Sequence, residues 1–131
     1  MSTGHHEDTL DTVPGLLGSG DGAAALFLAA EPEHEPGSWF VYHNGASLML
    51  ALAVQRRTGQ RLLHYLRPRL LEPLGITSAS WRSAAGGDLG FSGLHVATDS
   101  VARLGLLLLH EGAWEGRQVL PAGWVAPASK A

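Results

Sequence analysis

The sequence contains no cysteine, which excludes a disulfide framework, a cysteine-ligated zinc and a thiol nucleophile, and leaves the redox compartment open. Lysine is almost absent: of nine basic residues, eight are arginine and one is Lys130. Charge of either sign is scarce at 16 % of residues, and the formal net charge is −3 with histidine neutral, so no basic surface recommends nucleic acid or an anionic membrane as a partner. Long hydrophobic runs are missing too. Those at residues 48–54 and 104–109 fall well short of the ~20 residues of a membrane-spanning helix and suit buried helix cores. Near the start, His5-His6-Glu7-Asp8 is unlike the basic stretch and apolar run of a signal peptide.

What is present is one domain's worth of chain: 131 residues, 45 % of them hydrophobic, enough to bury a core. So few charges on so small a chain read as part of something larger. Residues 1–20 are polar and then rich in Gly, Ser and Pro, which predicts a loop. Asp21 is placed to cap a short Ala/Leu helix over 23–30, and the two prolines and glycine of 32–37 break it. A helix over 45–57 is apolar all round, which predicts burial on most sides, with Arg56, Arg57 and Gly59 closing it. Leucine spacing predicts another over 60–71, made irregular by Pro68. An extended connection over 78–93 leads to a short strand at 94–96, a cap at Thr98 and a helix over 99–111 with Val101, Leu104, Leu107 and Leu108 on one face. Residues 114–120 read as a tight turn between extended pieces, and Pro121 starts a last helix to about 129. The chain is mainly α, with short strands or turns near 94–96 and 113–120.

Four constellations bear chemistry. His5, His6, Glu7 and Asp8, with Glu33, His34 and Glu35, lack the helical or rigidly framed spacing of metal ligands, so solvated loop is the better reading and no metal or other cofactor is expected. The run Gly86–Gly93 carries Asp88, which repels phosphate, and lacks the second glycine of a nucleophile elbow. Ser92, Asp99 and His110 follow a hydrolase-triad order, but Asp99 and His110 lie about 16 Å apart on one helix. Tyr42-His43-Asn44 sets a phenol and a carboxamide at a helix start, where backbone N–H groups point outward. A cap with a half-buried aromatic explains the tripeptide alone; its flanks favour more.

Those flanks resemble one family, the serine β-lactamase and penicillin-binding-protein-like hydrolases, in the branch of class C β-lactamases and related esterases and peptidases. Met1-Ser2-Thr3-Gly4-His5 is similar to the loop after that family's nucleophile helix. Residues 35–45, Glu-Pro-Gly-Ser-Trp-Phe-Val-Tyr-His-Asn-Gly, resemble its PGt.f.YsN.g stretch. Thr58-Gly59 and Glu72-Pro73-Leu74-Gly75-Ile76 resemble its tG and ePLGm pieces. Residues 90–105, with Thr98, Asp99, Ala102 and Arg103 in register, resemble GGl.sta.DlarfG, and residues 114–121 resemble w.Gk.lLp.

The resemblance implies the helical portion of a β-lactamase/transpeptidase-like α+β fold and acyl transfer through a serine from a β-lactam, peptide or ester. It implies Tyr42 as the catalytic proton relay and Asn44 and His43 as substrate-binding residues, with His43 either shaping the cleft mouth or facing solvent. A phenol needs a neighbouring cation to serve as a base, because a free phenol titrates near pH 10, and the family supplies one from a Ser-x-x-Lys motif. Here the residue three before Lys130 is Pro127, and Lys130-Ala131 is not a Lys-Thr-Gly strand. The expectation is therefore a middle portion that is inactive alone, whose parent acts on a small acyl substrate. The competing expectation is a non-catalytic helical binding or scaffold module that keeps the family's shape as a folded monomer. Exposed apolar helix faces are a further candidate surface for association. The resemblance fits a periplasmic, secreted or cytoplasmic parent alike.

Overall fold

The computed structural model describes residues 1–84 and 86–129; Lys130, the sole lysine, lies outside them. Helix takes 43 % and strand 11 %, so helices dominate, yet the strand content is more than the sequence promised. The chain divides into two compact units, one formed by Met1–Leu62 and Trp81–Leu94, the other by Leu63–Ser80 and His95 onward.

The first unit holds α1 (Thr9–Thr12), α2 (Ala23–Ala29) and α3 (Asn44–Thr58), with the hairpin strands β2 (Ser83–Ala84) and β3 (Gly87–Asp88). β2 and β3 are antiparallel, with Ser83 opposite Asp88 and Ala84 opposite Gly87. Leu16, Ala23, Leu48, Leu52 and Leu89 form its core, backed by Leu10, Phe27 and Met49. Helix α1 corrects the expected loop: its sequence is only TLDT, but the carboxylate of Asp8 accepts from Leu10 N–H and caps it. The cap of α2 is Gly22, with no side-chain bond, rather than Asp21, because a short 3-10 turn over Gly20–Gly22 leads the chain in. Helix α3 begins and ends where its composition predicted, with Gly59 in the left-handed conformation at its C-terminus. It is not buried on most sides, however: Leu48, Ala51 and Leu52 face inward while Leu50 is exposed.

The second unit starts from α4 (Leu62–Leu66), which widens into a π-helical turn over Arg67–Leu71. Pro68 lacks an N–H and obstructs the ordinary ladder, and Glu72 N–H bonds back to Arg67 C=O instead. Leu71, Leu74, Ile76 and Leu107 form its core. Helix α5 (Thr98–Leu109) starts one residue earlier than expected, with Ala97 as an uncapped N-cap rather than Thr98. The face it buries carries Ser100, Leu104 and Leu107, while Val101 and Leu108 are exposed. Arg103 anchors this helix by donating to the carbonyls of Leu74 and Gly75 at 2.9 and 3.0 Å. β5 (Ala113–Trp114) and β6 (Arg117–Gln118) form the expected tight turn, with Glu115 and Gly116 both at positive φ, as a two-residue hairpin requires. The last helix, α6, is only Val125–Ala128, shorter than the stretch Pro121 was expected to start. The extended connection resolves partly into β1 (Ala79–Trp81), which pairs with β4 (Leu94–Val96).

Candidate active site

Tyr42 leaves an extended segment and Asn44 opens α3. The extended segment is held from one side, because residues 1–4 run antiparallel along 34–41. Val41 N–H donates to Met1 C=O at 3.1 Å, Gly37 N–H to Ser2 C=O at 2.9 Å and His34 N–H to Gly4 C=O at 2.8 Å. The Met1 ammonium donates back to Val41 C=O.

The N-terminus of α3 is satisfied from within. Asp8 accepts from Asn44 N–H at 2.7 Å and Gly45 N–H at 2.9 Å, while also capping α1 through Leu10 N–H at 3.0 Å. One carboxylate thus closes the starts of two helices, where the dipole favours negative charge. His43, not Asn44, is the N-cap of α3, its Nδ1 accepting from Ala46 N–H at 3.0 Å. The outward-pointing N–H groups expected at this corner are therefore already spent, and a substrate anion finds no free helix start there.

Burial tends to raise the Asp8 carboxyl's pKa, but bonds from Gly45, Leu10 and Asn44 N–H, with help from His43, outweigh it and hold the group below its ordinary value. For His43, burial pushes the imidazole pKa down, and the pull of Asp8 in the other direction does not restore it. Asp8 Oδ1 also lies 3.2 Å from His43 Nδ1, and one nitrogen does not accept from Ala46 and donate to Asp8 together. A neutral ring accepting from Ala46 satisfies both, since the Asp8 oxygens already hold three N–H groups. The ring proton then sits on Nε2, which is buried with no hydrogen-bond partner. The ring stands T-shaped to His5 and Phe27, at 5.4 and 6.0 Å between centroids.

The three predicted site residues separate accordingly. Tyr42 is 74 % exposed, not the half-buried aromatic of the plainer reading. Asn44 is half-buried, and among the described residues neither its carboxamide nor the Tyr42 phenol takes an internal hydrogen bond. His43 is 3 % exposed and turns into the core, so the place expected for it at a cleft mouth is not where its ring lies. The solvated-loop reading of the histidine-and-acid group also needs correction, because His5 and Asp8 are buried. Among the described residues no group of three or more metal-ligating side chains is placed to hold an ion, and no helix is long and apolar enough to cross a membrane.

Sequence reasoning passed over two supports. Thr9 is 1 % exposed, and its Oγ1 lies 2.0 Å from where a Cβ on Gly45 would stand. Gly45→Ala is expected to cost about 1–3 kcal/mol through overpacking. Thr9→Ala, which removes an oxygen that has no hydrogen-bond partner, should relieve most of that in the double variant. Urea titrations of the four proteins check it; simple additivity would refute the contact. The other support is Gln55, whose Oε1 accepts from Asp88 N–H at 2.9 Å and Leu62 N–H at 3.2 Å, tying the β2–β3 hairpin to α3. Its signal in the sequence was only one polar residue on an apolar helix.

An exposed Tyr-x-Asn corner thus stands at the start of a long helix, followed in chain order by a Pro-Leu-Gly turn and a Gly-rich hairpin. The chain belongs to the Beta-lactamase family, whose model matches residues 2–129. Among solved structures it is similar to a putative 6-aminohexanoate-dimer hydrolase from Bacillus anthracis, with 22 % identity and a TM-score of 0.72. That likeness is one of fold; it covers 97 % of this chain and 37 % of the other. No curated protein matches the sequence.

Proposed function

We propose that this chain forms the Tyr-x-Asn wall of a serine acyl-transfer hydrolase and is inactive without a nucleophile supplied by further polypeptide. The observation that carries the reading is the division of labour at the corner. The polar groups that close α3 come from beneath, through Asp8 and His43, while among the described residues the Tyr42 phenol and Asn44 carboxamide take no internal partner. A carboxamide both donates and accepts, so Asn44 suits the amide or carbonyl of an acyl substrate. Tyr42 is the proton relay to an attacking serine, made basic by a lysine cation beside it. His43 is a positioning residue that fixes the turn between them. The sequence holds no Ser-x-x-Lys, so no acyl-serine forms on this chain by that route.

The similar solved structure is a putative hydrolase of a 6-aminohexanoate dimer, which makes that dimer the compound to try first, alongside β-lactams, peptides and esters. In a longer polypeptide that carries the nucleophile, Tyr42→Phe is expected to lower kcat by about 100- to 10,000-fold, the usual worth of a positioned acid–base group. Asn44→Ala should weigh more on KM. Unchanged kcat in the Tyr42 variant would remove Tyr42 from the chemistry.

A further inference from the structure

His6 and His34 belong to segments far apart in sequence, yet His6 Nδ1 and His34 Nε2 lie 3.1 Å apart. Their backbones are tied as well as their rings. His34 N–H donates to Gly4 C=O at 2.8 Å, and His6 N–H donates to Glu33 Oε2 at 2.9 Å. Gly4, at φ +90°, makes this approach feasible, because a Cβ there would stand 2.3 Å from His34 O. Trp39 then stacks on both rings, 4.6 Å from His34 and 5.2 Å from His6 between centroids. The pair is therefore held in a frame, unlike two histidines in a loose loop.

We propose that His6 and His34 form a two-imidazole site for a borderline transition-metal dication, with Cu2+ the favoured ion. Two nitrogens 3.1 Å apart, each at the usual metal–nitrogen distance of about 2.0–2.1 Å, subtend about 100° at the ion, within the range of cis ligands in tetragonal and tetrahedral sites. At present one ring donates a hydrogen bond to the other. With His6 protonated on Nε2 and His34 on Nδ1, both lone pairs converge instead, and the metal replaces the shared proton with no net change in ring charge. A cavity of about 540 Å³ opens at the pair, lined also by Glu7, Glu31 and Glu33, which gives space for water ligands and negative charge to balance the ion. Imidazole ligands without thiolate favour Cu2+ over Ni2+ and Zn2+ by the general order of divalent affinities.

The test is titration of the chain with copper(II) chloride near pH 7.5, followed by tryptophan fluorescence, because Cu2+ beside the rings that Trp39 stacks on should quench it. Saturable quenching at one equivalent is expected, weakened at least tenfold in His6→Gln and His34→Gln variants whose circular dichroism matches the parent. In Trp39→Phe the quenching amplitude should fall while calorimetric binding remains. Copper electron paramagnetic resonance of the unaltered chain should show two imidazole nitrogens, a readout that survives even where a variant fails to fold. Equal affinity in the parent and both histidine variants would overturn the proposal. So would a spectrum with no paired imidazoles, as binding through the Met1 amine would give.

Discussion

Asp8→Ala is expected to lower the unfolding free energy of the first unit by about 3 kcal/mol, near 1 kcal/mol for each of the three N–H groups it leaves unmet at two helix starts. Among the described residues no other side chain closes both α1 and α3, so the loss should be seen at the Tyr42 corner and not only in global stability. The same residue predicts a pH dependence. Its folded pKa is depressed, so the stabilisation is complete above the unfolded carboxyl's pKa and is lost as the pH falls below about 4 toward the folded value. His43 is depressed too, and the unfolded chain takes up its proton first, so stability also declines as the pH falls below about 6.5. Two stages of acid destabilisation should therefore appear in denaturant midpoints measured from pH 7 to pH 3. In Asp8→Asn the lower stage should shrink; a profile identical to the parent's would show that the carboxylate does not hold the corner.

The second large effect is at the hairpin. Asp88 is 1 % exposed and accepts from Arg61 Nε at 2.9 Å and Ser83 Oγ at 3.3 Å, with Arg61 Nη2 also in contact. Arg61→Ala takes a guanidinium away from a buried carboxylate and is expected to cost about 3 kcal/mol, the low end for such pairs because Arg61 is half exposed. Asp88→Asn in the Arg61→Ala background should recover part of that loss, since the buried charge is then gone. Thermal unfolding of the single and double variants gives the coupling. Additive losses would mean that the pair contributes only as a surface ion pair.

Much of the helical order was legible because it rests on local signals. Gly59 and the paired arginines mark the end of α3, and Pro68 marks the irregular turn after α4. The Tyr42-His43-Asn44 corner was legible as a place, through the order of its flanking pieces, but its internal arrangement was not. Tyr-x-Asn does not reveal that the middle residue turns inward. His43 does so to cap Ala46 N–H while Asp8, 35 positions earlier, closes the rest of the same helix start, and long-range pairing of that kind leaves no period in a sequence. The histidine-and-acid segment was misread for the same reason. Its residues look loose in order, yet Gly4 and His34 join them across thirty positions. The capping of α1 could have been found, since Asp8 before Thr9-Leu10 is an ordinary N-cap signal. The Asp88–Arg61 pair could not, because nothing in a Gly-rich run says which arginine returns to it.

The central claim is that Tyr42 and Asn44 form one wall of an acyl-transfer site whose nucleophile this chain lacks. Fluorophosphonate labelling tests it most directly, applied in parallel to the 131-residue chain and to a longer polypeptide carrying a Ser-x-x-Lys segment ahead of Met1. The account predicts no labelled serine in the first and stoichiometric labelling in the second, slowed by Tyr42→Phe. A labelled serine within the 131 residues themselves would contradict it.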